Sequence, residues 1–226
     1  CGEHGHHRLR IPFGQDRSNP TEHALDPVAE AAASSAHVIP DLLPVEFDAA
    51  SVRIRHLVRT HRPDVVVSLG LAAGREAVTP ERVAINLAEA RIPDESGAQP
   101  IGRPLRRSAP PAHFATLPLT AMAAAIADTG VPAALSYSAG AFVCNAVMFA
   151  ALDEIAVLRT EDPTAPEAVA GFVHVPRVAD GGMTQAEIAR ALIAAVLAAV
   201  EHRGASPVPV AAGDTHTTVP GVGATQ

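Results

Sequence analysis

Apolar positions along this chain follow two rhythms. Asp64-Val-Val-Val-Ser-Leu69 is nearly continuous in β-branched and aliphatic side chains, the pattern of a strand covered on both faces in a mostly parallel sheet. Val52, Ile54, Leu57 and Val58 form a stripe instead, predicting a helix over about 49–62 that Arg62-Pro63-Asp64 ends. The loop Pro12-Phe13-Gly14 to Asn19-Pro20 leads into a second predicted helix, about Thr21 to Ala33. His37-Val-Ile and Leu42 to Phe47 read as short extended segments, His113 to Pro118 as a strand, and Leu119 to Thr129 as a helix stopped by Gly130. Gly171-Phe-Val-His174-Val-Pro176 is another short strand. Thr184 and Glu187 have the spacing of a capping box, and Ile188, Leu192, Ile193, Val196, Leu197 and Val200 follow at helical spacing up to Gly204. Strands alternating with helices predict an α/β fold: a three-layer α/β/α sandwich with a mainly parallel central sheet, in a single domain.

Residues 135–152, LSYSAGAFVCNAVMFAAL, begin as a strand-like run, bend at Ser138-Ala139-Gly140 and continue as an almost wholly apolar helix. Cys144 stands near the start of that helix. Such a cysteine is often a small packing side chain. It also sits among backbone N–H groups without intrahelical partners, at the positive end of the helix dipole, where a thiolate is stabilised.

Other loops carry residues with two readings each. Gly70-Leu71-Ala-Ala-Gly74-Arg75 lies at the carboxyl end of a predicted strand, where α/β sheets place ligands. Thr79-Pro-Glu81 is a helix start or turn in which Glu81 either caps and is solvated or orients a histidine. Arg91 is either a surface charge or a donor to a substrate carbonyl, and His174 is either structural or a base. Local sequence leaves each pair open.

Composition narrows the function classes. A net charge of −7 without a clustered basic face argues against nucleic acid or an anionic membrane as partner. No apolar run is long enough to span a bilayer, and the start of the sequence has no signal-peptide core. Two cysteines make no disulfide framework, so a reducing cytoplasm is expected. His4, His6 and His7 read as a solvated tail rather than a metal site, and the Pro- and Gly-rich residues 205–226 as a flexible C-terminal tail.

Four segments carry a resemblance. TPERVAIN around Glu81, ARIPD around Arg91, SAGAFVCN around Cys144 and FVHVP around His174, in that order and spacing, resemble the pyroglutamyl peptidase I family, the pyrrolidone-carboxylate peptidases of cysteine peptidase family C15. The resemblance runs from about Pro12 to Leu197 and makes residues 12–204 the peptidase domain. It implies Cys144 as nucleophile, His174 as general base and Glu81 as the residue orienting it, with no metal or cofactor. The family removes N-terminal 5-oxoproline from small peptides with a blocked N-terminus. Phe13, Ile92, Phe142 and Val143 match positions lining the slot for the lactam ring, and Asn19 matches a polar contact to that ring. Arg91 matches an active-site arginine. A homo-oligomer, dimer or tetramer, is expected from the resemblance alone.

Departures from the family pattern fall in recognition rather than chemistry. Leu71 stands where the family has an amide that hydrogen-bonds substrate, Val45 where a threonine is common, and Arg10 where a phenylalanine packs on the ring. Residues 1–11 also lack the apolar first strand, which predicts a mis-assigned or frameshifted start. N-terminal sequencing of native protein that returned this same terminus would overturn that expectation. Two other functions stay open: a thiol amidohydrolase for another small acyl or lactam group, and a non-catalytic peptide-binding relative.

Overall fold

The computed structural model describes residues 7–14, 20–165, 167–178 and 182–204. Its central sheet has five strands: β1 (His7–Gly14), β2 (Ala36–Leu43), β3 (Val65–Leu71), β4 (Thr79–Pro80) and, later in the chain, β7 (Val169–Val175). Their order is β2-β1-β3-β7-β4, parallel throughout except for β4, which runs antiparallel to β7. Bridges from Val78 to Ala133 and from Glu81 to Ser136 add the stretch before the bend at Ser138-Ala139-Gly140 to this edge. A separate ribbon pairs β5 (Val83–Ile85) with β6 (Ala112–Phe114).

Helices cover both faces. On one side lie α1 (Pro20–Ala32), α3 (Leu119–Asp128) and α5 (Gln185–Glu201), packed through Val28, Met122, Ile126, Ile188, Leu192 and Val196 onto Val65, Val67, Leu69 and Val173. On the other lie α2 (Phe47–His61) and α4 (Val143–Glu161), packed through Phe47, Ile54, Leu57, Met148 and Phe149 onto Val66, Ala170 and Phe172. Side chains alternate across a strand, so the odd valines of β3 serve one core and the even one serves the other. That double cover is why the run is apolar throughout. The α/β/α sandwich with a mainly parallel sheet is therefore present, and the capping box of α5 forms as its spacing predicts.

Several boundaries differ from the sequence pattern for identifiable reasons. The two extended segments at 37–39 and 42–47 are one strand, β2, which runs through Pro40. A proline is tolerated there because β2 is an edge strand and need not donate on its outer side. Phe47 is not extended but opens α2, its N–H donating to the Asp94 carboxylate at 2.9 Å. That partner comes from 47 residues away, beyond any local signal. Thr79-Pro80 is strand rather than helix start, and of the predicted strand at 113–118 only His113-Phe114 is strand, as part of β6 outside the main sheet. The backbone of residues 7–11 pairs with β2, and Leu9 and Arg10 also pair with β3, so the atypical sequence before Pro12 occupies a central strand.

Helix α4 continues nine residues past the apolar run because its two acids at that point are paired. Asp153 is 3 % exposed and accepts from Arg55 Nη1 and Arg106 Nη1 at 2.7 Å each, with His113 Nε2 3.4 Å away. Glu154 accepts from Arg59 Nε at 2.7 Å and Arg55 Nη1 at 3.3 Å. Burial works to raise the Asp153 pKa, but the hydrogen bonds and charges of Arg106 and Arg55 prevail and hold it below the ordinary carboxylate range. Its stabilisation is thus present above the unfolded carboxylate pKa and lost as pH falls through the depressed folded value. Asp153→Ala should leave Arg106 without its acid and Arg55 with Glu154 alone, and cost about 2–3 kcal/mol, somewhat less than a fully buried pair because the arginines are partly hydrated. Urea unfolding at neutral pH measures this, and an unchanged midpoint would rule out a stabilising role for the cluster.

No helix among the described residues is long and apolar enough to cross a membrane.

Candidate active site

The chain reverses sharply between the sheet edge and α4. Gly140 has φ 78°, a conformation that costs an L side chain, and its N–H donates to Ser138 Oγ at 3.1 Å. Ser136 Oγ donates to the Ser138 carbonyl at 3.2 Å, closing the bend from the other side. Phe142 then serves as N-cap in extended conformation with no side-chain acceptor for the first N–H groups of α4. Cys144 is the second residue of the helix, half-buried, among donors that no side-chain cap has claimed.

Strand β3 meets the sulfur edge-on at Gly70. A Cβ built there would lie 3.2 Å from Cys144 Sγ and 2.7 Å from Cζ of Phe172, so only glycine allows this approach. The Phe172 ring in turn tilts against the His174 ring at 4.7 Å between centroids. Gly70→Ala should therefore displace Phe172, and with it His174, lowering kcat/KM about tenfold to a hundredfold while the protein still folds. Steady-state kinetics beside a thermal melt measure the two effects separately, and full activity in a folded variant would refute the steric role.

His174 lies near the carboxyl end of β7, on the face turned to α4, and is 4 % exposed. Its Nδ1 is 2.6 Å from Oε1 of Glu81, which is fully buried just past β4. The antiparallel pairing of β4 with β7 brings Glu81 level with Phe172, whose carbonyl accepts the Glu81 N–H at 2.8 Å. Burial pushes the imidazole pKa down, but the charge and hydrogen bond of Cys144, followed by those of Glu81, outweigh it and raise the pKa to about 9. The ring is accordingly a cation at neutral pH, set between a thiol and a carboxylate. This arrangement can hold a thiolate–imidazolium pair and deliver the ring proton to a departing group.

Of the expected site residues, the structure brings Cys144, His174 and Glu81 together. Phe142 and Val143 precede Cys144: the Phe142 ring meets Phe47 edge-on at 5.2 Å, and Val143 is buried. Leu71 ends β3, half-buried and opposite Val175. Arg91 and Ile92 are exposed on the loop between Ala88 and Arg103. Asp94 docks that loop, accepting from Ser96 and Ala98 as well as from Phe47, and Glu89 N–H bonds to the Ala141 carbonyl beside the bend. The backbone of Phe13 pairs with Leu42 at the end of β1. Asn19 lies outside the described residues.

Sequence reasoning gave Arg75, Thr79 and Phe172 no role. Arg75 Nη1 is 2.7 Å from Glu81 Oε1 and also donates to Thr79 Oγ1, while Nη2 donates to the Ser138 carbonyl at 3.2 Å. Its signal in the sequence is a charge closing the Gly70–Arg75 loop at the carboxyl end of a buried strand. Among the described residues no group of three or more His, Cys, Asp or Glu is placed to hold a metal ion. A cavity of about 590 Å³ does exist elsewhere, lined by Val58, Phe114, Leu152, Ile155 and Leu158. It also includes Asp64 and Ala168, before β3 and β7, and so opens at the opposite end of the sheet from the thiol.

A doubly covered parallel sheet with a thiol, an imidazole and a buried carboxylate at the carboxyl end of its strands defines a class, the hydrolases that act through a cysteine nucleophile. Residues 10–202 match the family model described as pyroglutamyl peptidase, and the chain belongs to that family. It is similar to the pyrrolidone-carboxylate peptidase of Levilactobacillus brevis, 42 % identical over 165 residues that cover 73 % of this chain and 78 % of that one. The pyrrolidone-carboxylate peptidase of Bacillus amyloliquefaciens is 37 % identical over 197 residues, 84 % of this chain and 89 % of the relative. The crystal structure of pyroglutamyl peptidase I from Bacillus amyloliquefaciens superposes with a TM-score of 0.79 at 32 % identity, covering 88 % of this chain and 97 % of that one. The pyrrolidone carboxyl peptidase from Thermococcus litoralis gives 0.73 at 30 % identity, covering 87 % and 94 %.

Proposed function

We propose that this chain is a cysteine peptidase that hydrolyses the amide bond after an N-terminal pyroglutamyl residue of small peptides. The observation that carries the reading is the buried Glu81–His174 pair, 2.6 Å apart, with Cys144 near enough to raise the imidazole pKa, in a chain of this family. The family match at 10–202 supports a peptidase domain spanning residues 12–204. A working thiol suits a reducing compartment such as the cytoplasm.

In the reaction, the Cys144 thiolate attacks the lactam-bearing acyl carbon and the carbonyl electrons move to oxygen. Uncapped N–H groups at the start of α4 stabilise that oxyanion, an effect worth about 3 kcal/mol per donor in comparable sites. As the carbon–nitrogen bond breaks, the His174 imidazolium protonates the departing amine, leaving a thioester and a neutral imidazole. His174 then takes a proton from water, whose oxygen attacks the thioester; collapse releases pyroglutamate and returns the thiolate–imidazolium pair. Glu81 holds the Nδ1 proton throughout and stabilises the imidazolium.

Phe142 and Val143, with Phe13, Asn19, Leu71, Arg91 and Ile92, are the residues proposed to form the ring slot and its rim. A lactam carries no charged amine, so an apolar slot beside the thiol suits it. The test is release of fluorophore from a pyroglutamyl amide under reducing conditions. Leu71 favours a second reading. A leucine at the end of β3 offers no hydrogen bond to a ring amide, so a neighbouring small acyl or lactam group is the alternative substrate. A panel of N-acyl fluorogenic amides separates the two: a preference for a group other than pyroglutamyl would establish the second.

A further inference from the structure

We infer that Arg75 is a positioning residue, which locks the orienting carboxylate to the nucleophile bend and so fixes the distance between base and thiol. The inference rests on the function proposed above. The guanidinium reaches three separate pieces of chain. One nitrogen, Nη1, is 2.7 Å from Glu81 Oε1 and donates to Thr79 Oγ1; the other, Nη2, donates to the Ser138 carbonyl at 3.2 Å. Its side chain is 22 % exposed, so water competes weakly for these contacts. Its own backbone is fixed as well: Arg75 N–H donates to Ala72 O, and Ala72 N–H donates to Val175 O, next to His174.

Glu81 shows why this matters. Oε1 meets both the His174 ring and Arg75, whereas Oε2 is buried with no hydrogen-bond partner among the described residues. No hydrogen bond on Oε2 fixes the turn of the carboxylate about its last bond. Only the two donors on Oε1 hold it, and His174 is the group to be oriented, so Arg75 supplies the fixed reference. Thr79 extends the same chain, because its hydroxyl donates to the His174 carbonyl at 3.5 Å while accepting from Arg75. At the other end, Ser138 lies in the bend that delivers Cys144. Loss of the Arg75 bridge frees the nucleophile to drift relative to the base.

Charge is the second part of the role. Arg75 and His174 both meet Oε1 of Glu81, and the guanidinium balances the buried carboxylate. An arginine beside Glu81 offsets part of the attraction between Glu81 and the imidazolium. Removing the charge therefore shifts the alkaline limb of activity to higher pH, whereas loosening the geometry lowers kcat at constant KM.

Two variants separate these effects. Arg75→Lys keeps a charge on a single nitrogen but cannot span Glu81 and Ser138 together; Arg75→Met removes charge and bridge. Expected for Arg75→Lys is a fall in kcat of about tenfold or more with KM within twofold and the alkaline limb in place. Arg75→Met should lose more and also move the limb upward. If Arg75→Met does not fold, Arg75→Lys alone decides. A substrate-independent readout accompanies both: the rate at which iodoacetamide alkylates Cys144 at mildly acid pH, expected to fall in the variants. Unchanged kcat and alkylation in a folded Arg75→Lys would overturn the inference, as would a loss lying wholly in KM, the mark of direct substrate contact. Failure of the wild type on pyroglutamyl amides, with rapid alkylation lost in the variants, would count against the proposed substrate and leave the role of Arg75 standing.

Discussion

Cys144→Ala should fold normally and leave a pyroglutamyl fluorogenic amide intact, with kcat/KM reduced by about 10⁴-fold or more. The size follows from the arrangement of the site. With the sulfur gone, His174 and Glu81 still form their 2.6 Å pair, and the uncapped start of α4 still offers its N–H groups. What is missing is the atom that becomes bonded to the acyl carbon, and water in its place is a far weaker nucleophile at neutral pH. Binding should survive, so the inactive variant should still retain a pyroglutamyl peptide, which equilibrium dialysis can detect. Residual turnover within a hundredfold of wild type would show that another group carries the attack.

Glu81→Gln should have the next largest effect, a loss of about 10²–10⁴-fold in kcat. The amide keeps the shape of the carboxylate, but its NH₂ can face Nδ1 and favour the wrong tautomer. The pH profile distinguishes this from simple unfolding. His174 has its pKa raised to about 9: burial works against the shift, and Cys144 and then Glu81 drive it. The imidazolium must protonate the leaving amine, so wild-type activity should decline as pH rises through about 9. Removing the negative charge of Glu81 should move that decline to lower pH. The same shift bears on stability. A folded pKa raised from 6.5 to about 9 contributes stability that is fully present below pH 6.5 and fades as pH rises through about 9. An alkaline limb unmoved in Glu81→Gln would mean that the carboxylate does not set the charge of the ring.

The contrast between what could be read in advance and what could not follows the range of each interaction. The valines of β3 and the capping box of α5 carry their structural meaning in a few adjacent positions, and both elements formed as read. The motifs around Cys144, His174 and Glu81 mark them as candidates, and the structure sets His174 against Glu81. From its neighbours alone each had an ordinary structural reading, because the reason for its role lies on another strand. Arg75 is marked only as the end of the Gly70–Arg75 ligand loop, because its partners Thr79, Glu81 and Ser138 meet it only when β3, β4 and the bend at 138–140 are assembled. Phe47 opens α2 rather than ending an extended segment for the same reason, since its partner Asp94 arrives from a distant loop. The end of α4 was hidden by Asp153 and Glu154, which look like surface acids until Arg55, Arg59 and Arg106 are placed around them.

The long reach between Glu81 and His174, 93 residues apart in sequence, has a kinetic consequence. Contacts between distant residues require closure of large loops, and sheets built from parallel strands consolidate slowly. The imidazole gains its carboxylate only after β4 has docked antiparallel on β7, and β7 itself pairs with a strand formed a hundred residues earlier. On refolding from denaturant, helical signal should therefore recover before peptidase activity does. Throughout that interval the newly made chain carries an ordinary, unassisted thiol, and its chemistry switches on only when the architecture is complete.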